Sequence, residues 1–389
     1  MTPLEVALPM APRRILVVGA GVGGLALAAG LRDGEHLAVL EQSTELRASG
    51  GAVTLFPNGL AALDAFGVDV TGTGAPVGVM RMHRGDGTPL MTIDFAEMAR
   101  RTGYPVRNIL RRDLLRLLAD QVPAGVVELG TEVSDVAPHE ESATVLLSDG
   151  SSREADLVVG ADGTSSVVRR SVLSAQPART SGWMTVQSLV HGSMQGVLDD
   201  RSGASYVGRA GFCGIMPVGP QLTLVWFDVR VPAEGWRTVD AAWLREMFRD
   251  YARPVTDVLG RIETVDPFAH RTHEVPDTWG RGPTTLLGDA AHAVPPTAGQ
   301  GANQALDDAW ALREALRSDG DAVRAVRRYE SHRVPRVRRM SQVAAAERPN
   351  QVPGAATGFV MRHVPARMAG IGHTALVRRW SSVLSGSRP

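Results

Sequence analysis

The feature that most constrains this chain is the stretch RRILVVGAGVGGLALAAGLRDGEHLAVLEQS, which begins at Arg13. Ile15–Val18 is a short apolar run of the kind that parallel sheets cover on both faces. It leads directly into Gly19, Gly21 and Gly24, a GxGxxG turn, and then into a compact helix start over Leu25–Leu31. Glycines at this spacing permit a tight turn and a close approach of backbone to a pyrophosphate, whose charge sits at the helix N-terminus. A second strand, Leu37–Leu40, ends at Glu41 with Gln42 beside it. An acid there has the spacing at which a ribose hydroxyl is accepted. The unit predicts an α/β dinucleotide site, and NAD and FAD both use such a unit.

Two later segments repeat the logic of a strand that ends in glycine and aspartate. ADLVVGADGTSSVVRRSVL carries a buried strand at Leu157–Val159, then Asp162, with a helix expected from Ser165 or Ser166. TLLGDAAHAVPPTAGQGANQALDDAW carries a strand from Leu286 to Asp289, then a small-residue loop and a helix over Asp307–Leu316. Open α/β sheets bind ligands at strand carboxyl ends, so both aspartates are candidate ligand contacts. Pro295 and Pro296 fix the loop, while its glycines let backbone amides approach a partner.

The middle of the chain changes character. Val79–Arg84 and Pro89–Asp94 read as strands around an RGDG turn, and an amphipathic helix starts at Leu110, carrying Arg111 and Arg112. From Ser181 to Val275 the pattern is mainly strands, with a helical piece at Ala241–Phe248 and a return through Ile262–Val265. This predicts a sheet laid over the nucleotide unit as the roof of a cleft. Tyr206, Phe212, Cys213, Met216, Trp226 and Phe227 are candidates to cover a planar substrate, with sheet core as their alternative reading. Alternation places Leu222, Leu224 and Trp226 on one face, and Val225 and Phe227 on the other. A helix over Ala322–Met340, basic and containing Pro335, reads as a solvated face or as a contact for an NADPH phosphate or an acidic partner. Residues 346–389 form no second domain and are expected to pack against the cleft or a partner subunit.

Composition excludes several chemistries. None of the 389 residues is lysine, which removes a Walker-type phosphate loop and Schiff-base catalysis. Net charge of +0 gives no bulk attraction to nucleic acid, and the lone cysteine, Cys213, excludes an internal disulfide or an iron–sulfur cluster. The five glycines between Ile15 and Leu31 argue against a membrane span, and the first residues do not read as a signal peptide, so a cytoplasmic setting is expected. His83, His191, His270, His273 and His292 lack metal-ligand spacing, so no metal is expected, and no GxSxG elbow is present.

GAGVGG, VVGADGTSSVVR and LLGDAAHAVPPTAGQGAN, in this order, resemble the class A flavoprotein aromatic hydroxylases. The branch is that of the salicylate hydroxylases, urate hydroxylase and zeaxanthin epoxidase, and the resemblance spans roughly residues 13–345. It implies a Rossmann-like FAD-binding domain made of 13–78, 105–175 and 278–345. A β-sheet substrate domain of 79–104 and 176–277 is inserted over it, followed by a C-terminal segment, 346–389. It further implies that Gly19, Gly21 and Gly24 face the FAD pyrophosphate, that Glu41 and Gln42 lie at the adenosine ribose, and that Arg47 and Arg111 contact the cofactor. Asp162 would touch both FAD and NADPH, and Asp289 the ribityl chain. Pro295, Pro296 and Gly299 would position the flavin loop, with Gly301, Ala302 and Asn303 along the isoalloxazine. NADPH or NADH would act as a transient co-substrate, and O2 would form a flavin C4a-hydroperoxide that hydroxylates or epoxidises an aromatic or unsaturated small molecule. Phe212 and Leu224 stand where the urate enzymes carry a substrate-binding arginine and tyrosine, which favours a more apolar substrate, with Arg209 as the nearest spare cation. Oxidoreduction without oxygen insertion and a non-catalytic flavin-binding protein are the alternatives. A monomer or a homodimer is expected.

Overall fold

The computed structural model describes residues 12–31, 35–46, 51–173, 176–194, 198–199, 201–231, 239–386 and 388–389. At its centre is a five-stranded sheet in the order Thr284–Leu286, Leu157–Gly160, Arg14–Val18, His36–Glu41, Val127–Leu129, parallel throughout. Ile15 to Val18 and Leu157 to Val159 are buried, as parallel strands covered on both faces require. Every residue of the helix Val22–Gly30 is buried, and that helix packs against Gly301–Ser318. Its small residues make this close approach possible: a Cβ on Gly23 would lie 2.4 Å from Leu287.

The roof is a seven-stranded sheet in the order Asp266–Thr272, Arg179–His191, Leu222–Arg230, Phe212–Gly219, Ser202–Val207, Val79–Arg84, Pro89–Asp94. Two excursions from the central unit build it. They join where Ser202–Val207 runs parallel to Val79–Arg84, whereas its other pairings are antiparallel. Alternation then decides what each face meets. Val225, Phe227, Cys213 and Ile215 pack with Leu244, Phe248, Val255 and Val258 from the helices Ala241–Met247 and Arg253–Leu259. Fully burying each such side chain contributes about 1.5–3 kcal/mol. The opposite face, with Met216, Leu224 and Trp226, looks toward the central unit.

Several elements depart from the sequence expectations. The return strand is Asp266–Thr272, four residues beyond the expected Ile262 start. The helix Phe95–Thr102 was not expected, although Asp94 caps it by accepting from Glu97 N at 2.9 Å and Gly103 ends it at φ 82°. A small antiparallel sheet of Ala52–Leu55, Val106–Leu110 and Ala75–Val77 joins the two layers. The basic helix runs unbroken from Ala322 to Ala345 through Pro335. Residues 346–389 contain the helices Ala355–His363 and Ala366–Trp380, which pack on Pro89–Asp94, with Ala366–Trp380 also on Phe95–Thr102.

Candidate functional site

Four strands of the central sheet deliver their carboxyl ends to one crevice. Arg14–Val18 opens into Gly19–Gly24, His36–Glu41 ends at Glu41, Leu157–Gly160 leads to Asp162, and Thr284–Leu286 leads to Asp289. The three glycines of the first turn prove unequal. A Cβ on Gly19 would lie 2.6 Å from Ala161 O, and one on Gly24 would lie 2.0 Å from Gly19 O. Gly19 also has φ 103°, a region that disfavours a side chain. The protein's own packing therefore demands both. Gly21 differs: a Cβ there would meet nothing within 4 Å, although the residue caps the N-terminus of Val22–Gly30. Open space over the helix N-terminus is what a pyrophosphate needs.

The acids divide in a similar way. Glu41 accepts from Ala20 N and Ser43 N, each at 2.9 Å, which pins the turn and leaves acceptor sites free for a ribose. Gln42 is exposed next to it. Asp162 accepts from Ser166 Oγ at 2.6 Å, Val167 N at 2.7 Å and Val168 N at 3.2 Å, so its side chain caps the helix Val167–Leu173. Burial pushes its pKa above the ordinary carboxyl value against the pull of those bonds. Asp289 is exposed, close to Gly301, and its carboxylate has no hydrogen-bond or ion-pair partner among the described residues, although His273 lies within its electrostatic reach. Arg111 is exposed at the start of Arg111–Ala119 and equally unpartnered among them. Arg47 lies outside the described residues.

The loop after Asp289 is held from behind. Arg169, a residue the sequence reading left without a role, donates to Ala290 O at 3.2 Å, Ala291 O at 2.9 Å and Glu274 O at 2.9 Å. Pro295 is buried, while Pro296 and Gly299 are exposed, the latter at φ 61°. Gly301 and Ala302 open the helix Gly301–Ser318 half-buried. Asn303 is wholly committed: Oδ1 accepts from Phe56 N at 2.8 Å, and Nδ2 donates to Thr54 O at 2.9 Å and Gly299 O at 2.8 Å. Its side chain thus stitches the loop to the strand Ala52–Leu55. His292 is buried, with Nε2 2.6 Å from Asp308 Oδ2 and the ring 5.6 Å from Trp279.

On the roof, Phe212, Met216, Leu224 and Trp226 share the face that meets the central unit. Thr54 Oγ1 lies 3.5 Å from Met216 Sδ, and a Cβ on Gly51 would lie 3.1 Å from Leu224. Tyr206 must be removed from the substrate candidates. Cross-strand to Cys213, it belongs to the cluster on the helix side and stacks on His83 at 4.9 Å. Cys213 and Phe227 are sheet core for the same reason. Arg209 is exposed in the turn before Phe212, lining a surface groove with Asp250 and Tyr251. The C-terminal segment packs against this face of the roof, one of the two placements expected of it, and brings in a residue that no motif marked: His373 sits 5.5 Å from Phe56 and 6.0 Å from Phe95. Desolvation lowers its pKa to about 4, so it is neutral at physiological pH.

A second buried group couples the roof to the segment after the long helix. His270 Nδ1 lies 2.8 Å from Glu347 Oε1, and its Nε2 lies 2.8 Å from Thr185 Oγ1 and 3.7 Å from Asp228 Oδ1. Burial alone would lower its pKa, but hydrogen bonds and attraction from Asp228 and Glu347 outweigh it and lift the value to about 9. A raised folded-state pKa gives stability that is complete below the unfolded value near 6.5 and is lost as pH rises through about 9. The effect is on the order of 3 kcal/mol. Wild type should lose melting temperature between those values relative to His270→Gln, as read by thermal unfolding across pH. Parallel profiles would remove the charge from His270. His373 acts in the opposite window, costing stability as pH falls from 6.5 through about 4.

A dinucleotide crevice with an unfilled glycine and an exposed aspartate, roofed by an apolar sheet, defines a dinucleotide-binding α/β protein with a covered cleft. Residues 13–344 match the family described as FAD binding domain, and the chain belongs to this family, that of the class A FAD-dependent aromatic hydroxylases and monooxygenases. It is 34% identical over 330 residues to a 3-amino-4-hydroxybenzoate 2-monooxygenase of Streptomyces cremeus, covering 83% of this chain and 84% of that one. It is 29% identical over 336 residues to an FAD-dependent urate hydroxylase of Klebsiella oxytoca, covering 84% and 87% respectively. The crystal structure of Klebsiella pneumoniae HpxO complexed with FAD and uric acid superposes with a TM-score of 0.81 at 26% identity, over 98% of this chain and 97% of that one. The chain is accordingly an FAD-dependent monooxygenase of the kind that acts on aromatic or unsaturated substrates. No helix among the described residues is long and apolar enough to cross a membrane.

Proposed function

We propose that this chain is an NAD(P)H-dependent hydroxylase of a planar arene: substrate C–H, O2, NAD(P)H and a proton become C–OH, NAD(P)+ and water. Phe56 carries the reading. A Cβ on Gly299 would lie 3.0 Å from its ring, and the same ring belongs to one apolar cluster with Met216, Met80 and Met82 of the roof. The loop and the roof thus meet over an apolar wall, of the kind that shields a reaction from water. FAD, when bound, supplies reduction by the nicotinamide and activation of oxygen.

In this reading segments 13–78, 105–175 and 278–345 hold FAD, and 79–104 with 176–277 cover the substrate. Gly21 faces the pyrophosphate, Glu41 the ribose and Asp289 the ribityl chain, with Arg111 beside the cofactor. Pro296, Gly299, Gly301 and Ala302 border the ring, and Phe212, Met216, Leu224 and Trp226 face the arene. Similarity to 3-amino-4-hydroxybenzoate and urate enzymes supports a small, electron-rich ring as substrate. The test is NAD(P)H oxidation with candidate arenes, with products followed by mass. Expected is substrate-stimulated oxidation and a product carrying one added oxygen atom; stimulation with hydrogen peroxide as the only oxygen product would refute insertion.

Asp289→Ala should release FAD at least about tenfold more readily, the loss of a charge-assisted hydrogen bond or two. The preference among arenes should stay unchanged. Equilibrium dialysis of FAD against the variant measures it, and wild-type retention would remove Asp289 from the site.

A further inference from the structure

The face of the roof that meets the central unit is organised in cross-strand rows. Register sets Gln187 opposite Trp226, Trp226 opposite Gly214, Gly214 opposite Ser205 and Ser205 beside Met82. The neighbouring row is Leu189, Leu224, Met216, then Gly203 beside Met80. These two rows lie directly against the strand Ala52–Leu55 and its threshold. A Cβ on Gly51 would touch Gln187 Oε1 at 2.5 Å and Leu224 at 3.1 Å, and Thr54 touches Met216. The one charged side chain in these rows among the described residues is Asp266, exposed and paired with Gln187 at the outer end of the first row.

Within them only Gln187, Trp226 and Ser205 carry an N–H or O–H, and all three stand in the same row. Gln187 and Trp226 are half-buried, and none of the three side chains has a hydrogen-bond partner among the described residues. None leaves a fully buried orphan atom either, so each polar atom keeps some exposure, least at Ser205, which is 2% exposed. The indole is fixed in place: a Cβ on Gly214 would lie 2.1 Å from Trp226 Cζ2, so the ring lies along the row over that glycine. The next same-face pair along these strands is Thr185 and Asp228, where His270 is held by Thr185, Asp228 and Glu347, so its charge is already matched. His373, against Phe56 and Phe95, is uncharged above pH about 4.

We propose that Gln187, Trp226 and Ser205 form a neutral hydrogen-bonding strip that selects an arene with an un-ionised polar substituent, such as a carboxamide or phenol, over its carboxylate counterpart. A carboxamide matches the strip, because Gln187 both donates and accepts while the Trp226 N–H donates. A carboxylate taken into the same place loses its hydration without gaining a cation, which is costly in an apolar surround. The strip lies in the same sheet face as Phe212 and Leu224 but uses neither.

The inference rests on the arene-binding reading of this cleft, and binding is measured separately from oxygen insertion so that the two can fail independently. FAD-loaded full-length protein is titrated with 4-hydroxybenzamide and with 4-hydroxybenzoate, read by perturbation of the flavin absorbance. The amide should bind at least about tenfold more tightly, the scale set by an unpaired charge or polar group in a closed site. Gln187→Leu should erase that preference and Gln187→Arg should reverse it. Trp226→Phe, which keeps the ring and removes the N–H, should weaken the amide alone. Equal or tighter binding of the carboxylate by wild type, no binding of either probe, or an unchanged ratio in both Gln187→Leu and Trp226→Phe would overturn the proposal. Product analysis under turnover then reports on hydroxylation whichever way the binding falls.

Discussion

Arg333→Ala should lower stability by about 3–5 kcal/mol, the cost of leaving buried carboxylates without their cation. Arg333 is fully buried in the middle of the long helix. It donates to Asp308 Oδ1 at 2.7 Å, Gln304 Oε1 at 2.7 Å, Trp380 O at 3.2 Å and Ser382 Oγ at 3.1 Å. Burial would raise the Asp308 carboxyl, but Arg333 and His292 outweigh it and hold it at about 2. Asp308 also accepts from Gly288 N at 2.9 Å, directly before Asp289. Asp307, equally buried, accepts from Ser382 N at 3.0 Å and so docks the end of the chain on the helix Gly301–Ser318. Removing the guanidinium should therefore lower the melting temperature by roughly 5–15 °C, at a few degrees per kcal/mol. FAD retention should fall as well. Arg333→Lys should recover only part of the loss, since an ammonium has three donors and no planar fork. Adding Asp307→Asn and Asp308→Asn to Arg333→Ala should recover part of it by removing the stranded charge. A single variant as stable as wild type would mean that apolar packing alone joins the two helices.

The motifs around strand ends were legible because they are local. Gly19, Gly21, Gly24, Glu41, Asp162 and Asp289 each sit where a strand must stop, and the central sheet converges them as expected. Period-two alternation likewise separated Leu224 and Trp226 from Val225 and Phe227. It could not say which face met the central unit, because that depends on helices 241–259 covering the other side. Tyr206 was misplaced for this reason: its face follows from pairing with Cys213, a long-range register. The helix Phe95–Thr102 was overlooked despite a readable Asp94-x-x-Glu97 cap, because it follows a strand with no intervening loop and spans little more than two turns. Arg333 could be read only as one more arginine on a basic helix. Its partners lie on another helix and at the end of the chain, and spacing carries no trace of them. His373 and Gln187 were silent for the same physical cause, since each gains meaning from what stands across the cleft.

Gly24→Ala and Gly21→Ala should separate folding from cofactor binding, although the two residues belong to one motif. At Gly24 the new Cβ would lie 2.0 Å from Gly19 O, a backbone atom that cannot swing away. Overpacking typically costs about 1–3 kcal/mol and more where backbone must move, so this variant should unfold early or fail to accumulate. At Gly21 the backbone has φ −75° and ψ −174°, extended values open to alanine, and a Cβ meets nothing within 4 Å. Its unfolded state loses freedom on substitution, which stabilises the fold by about 0.4–1 kcal/mol. Apo Gly21→Ala should therefore melt at or slightly above wild type. The same methyl group occupies the space through which a pyrophosphate reaches the N-terminus of Val22–Gly30, so FAD affinity should drop by about a hundredfold or more, roughly 3 kcal/mol. Thermal unfolding of the apo forms and fluorescence titration with FAD measure the two quantities on the same samples. Wild-type FAD affinity in Gly21→Ala would place the pyrophosphate elsewhere. A collapse of apo stability there would instead make the second glycine of the turn as structural as its neighbours.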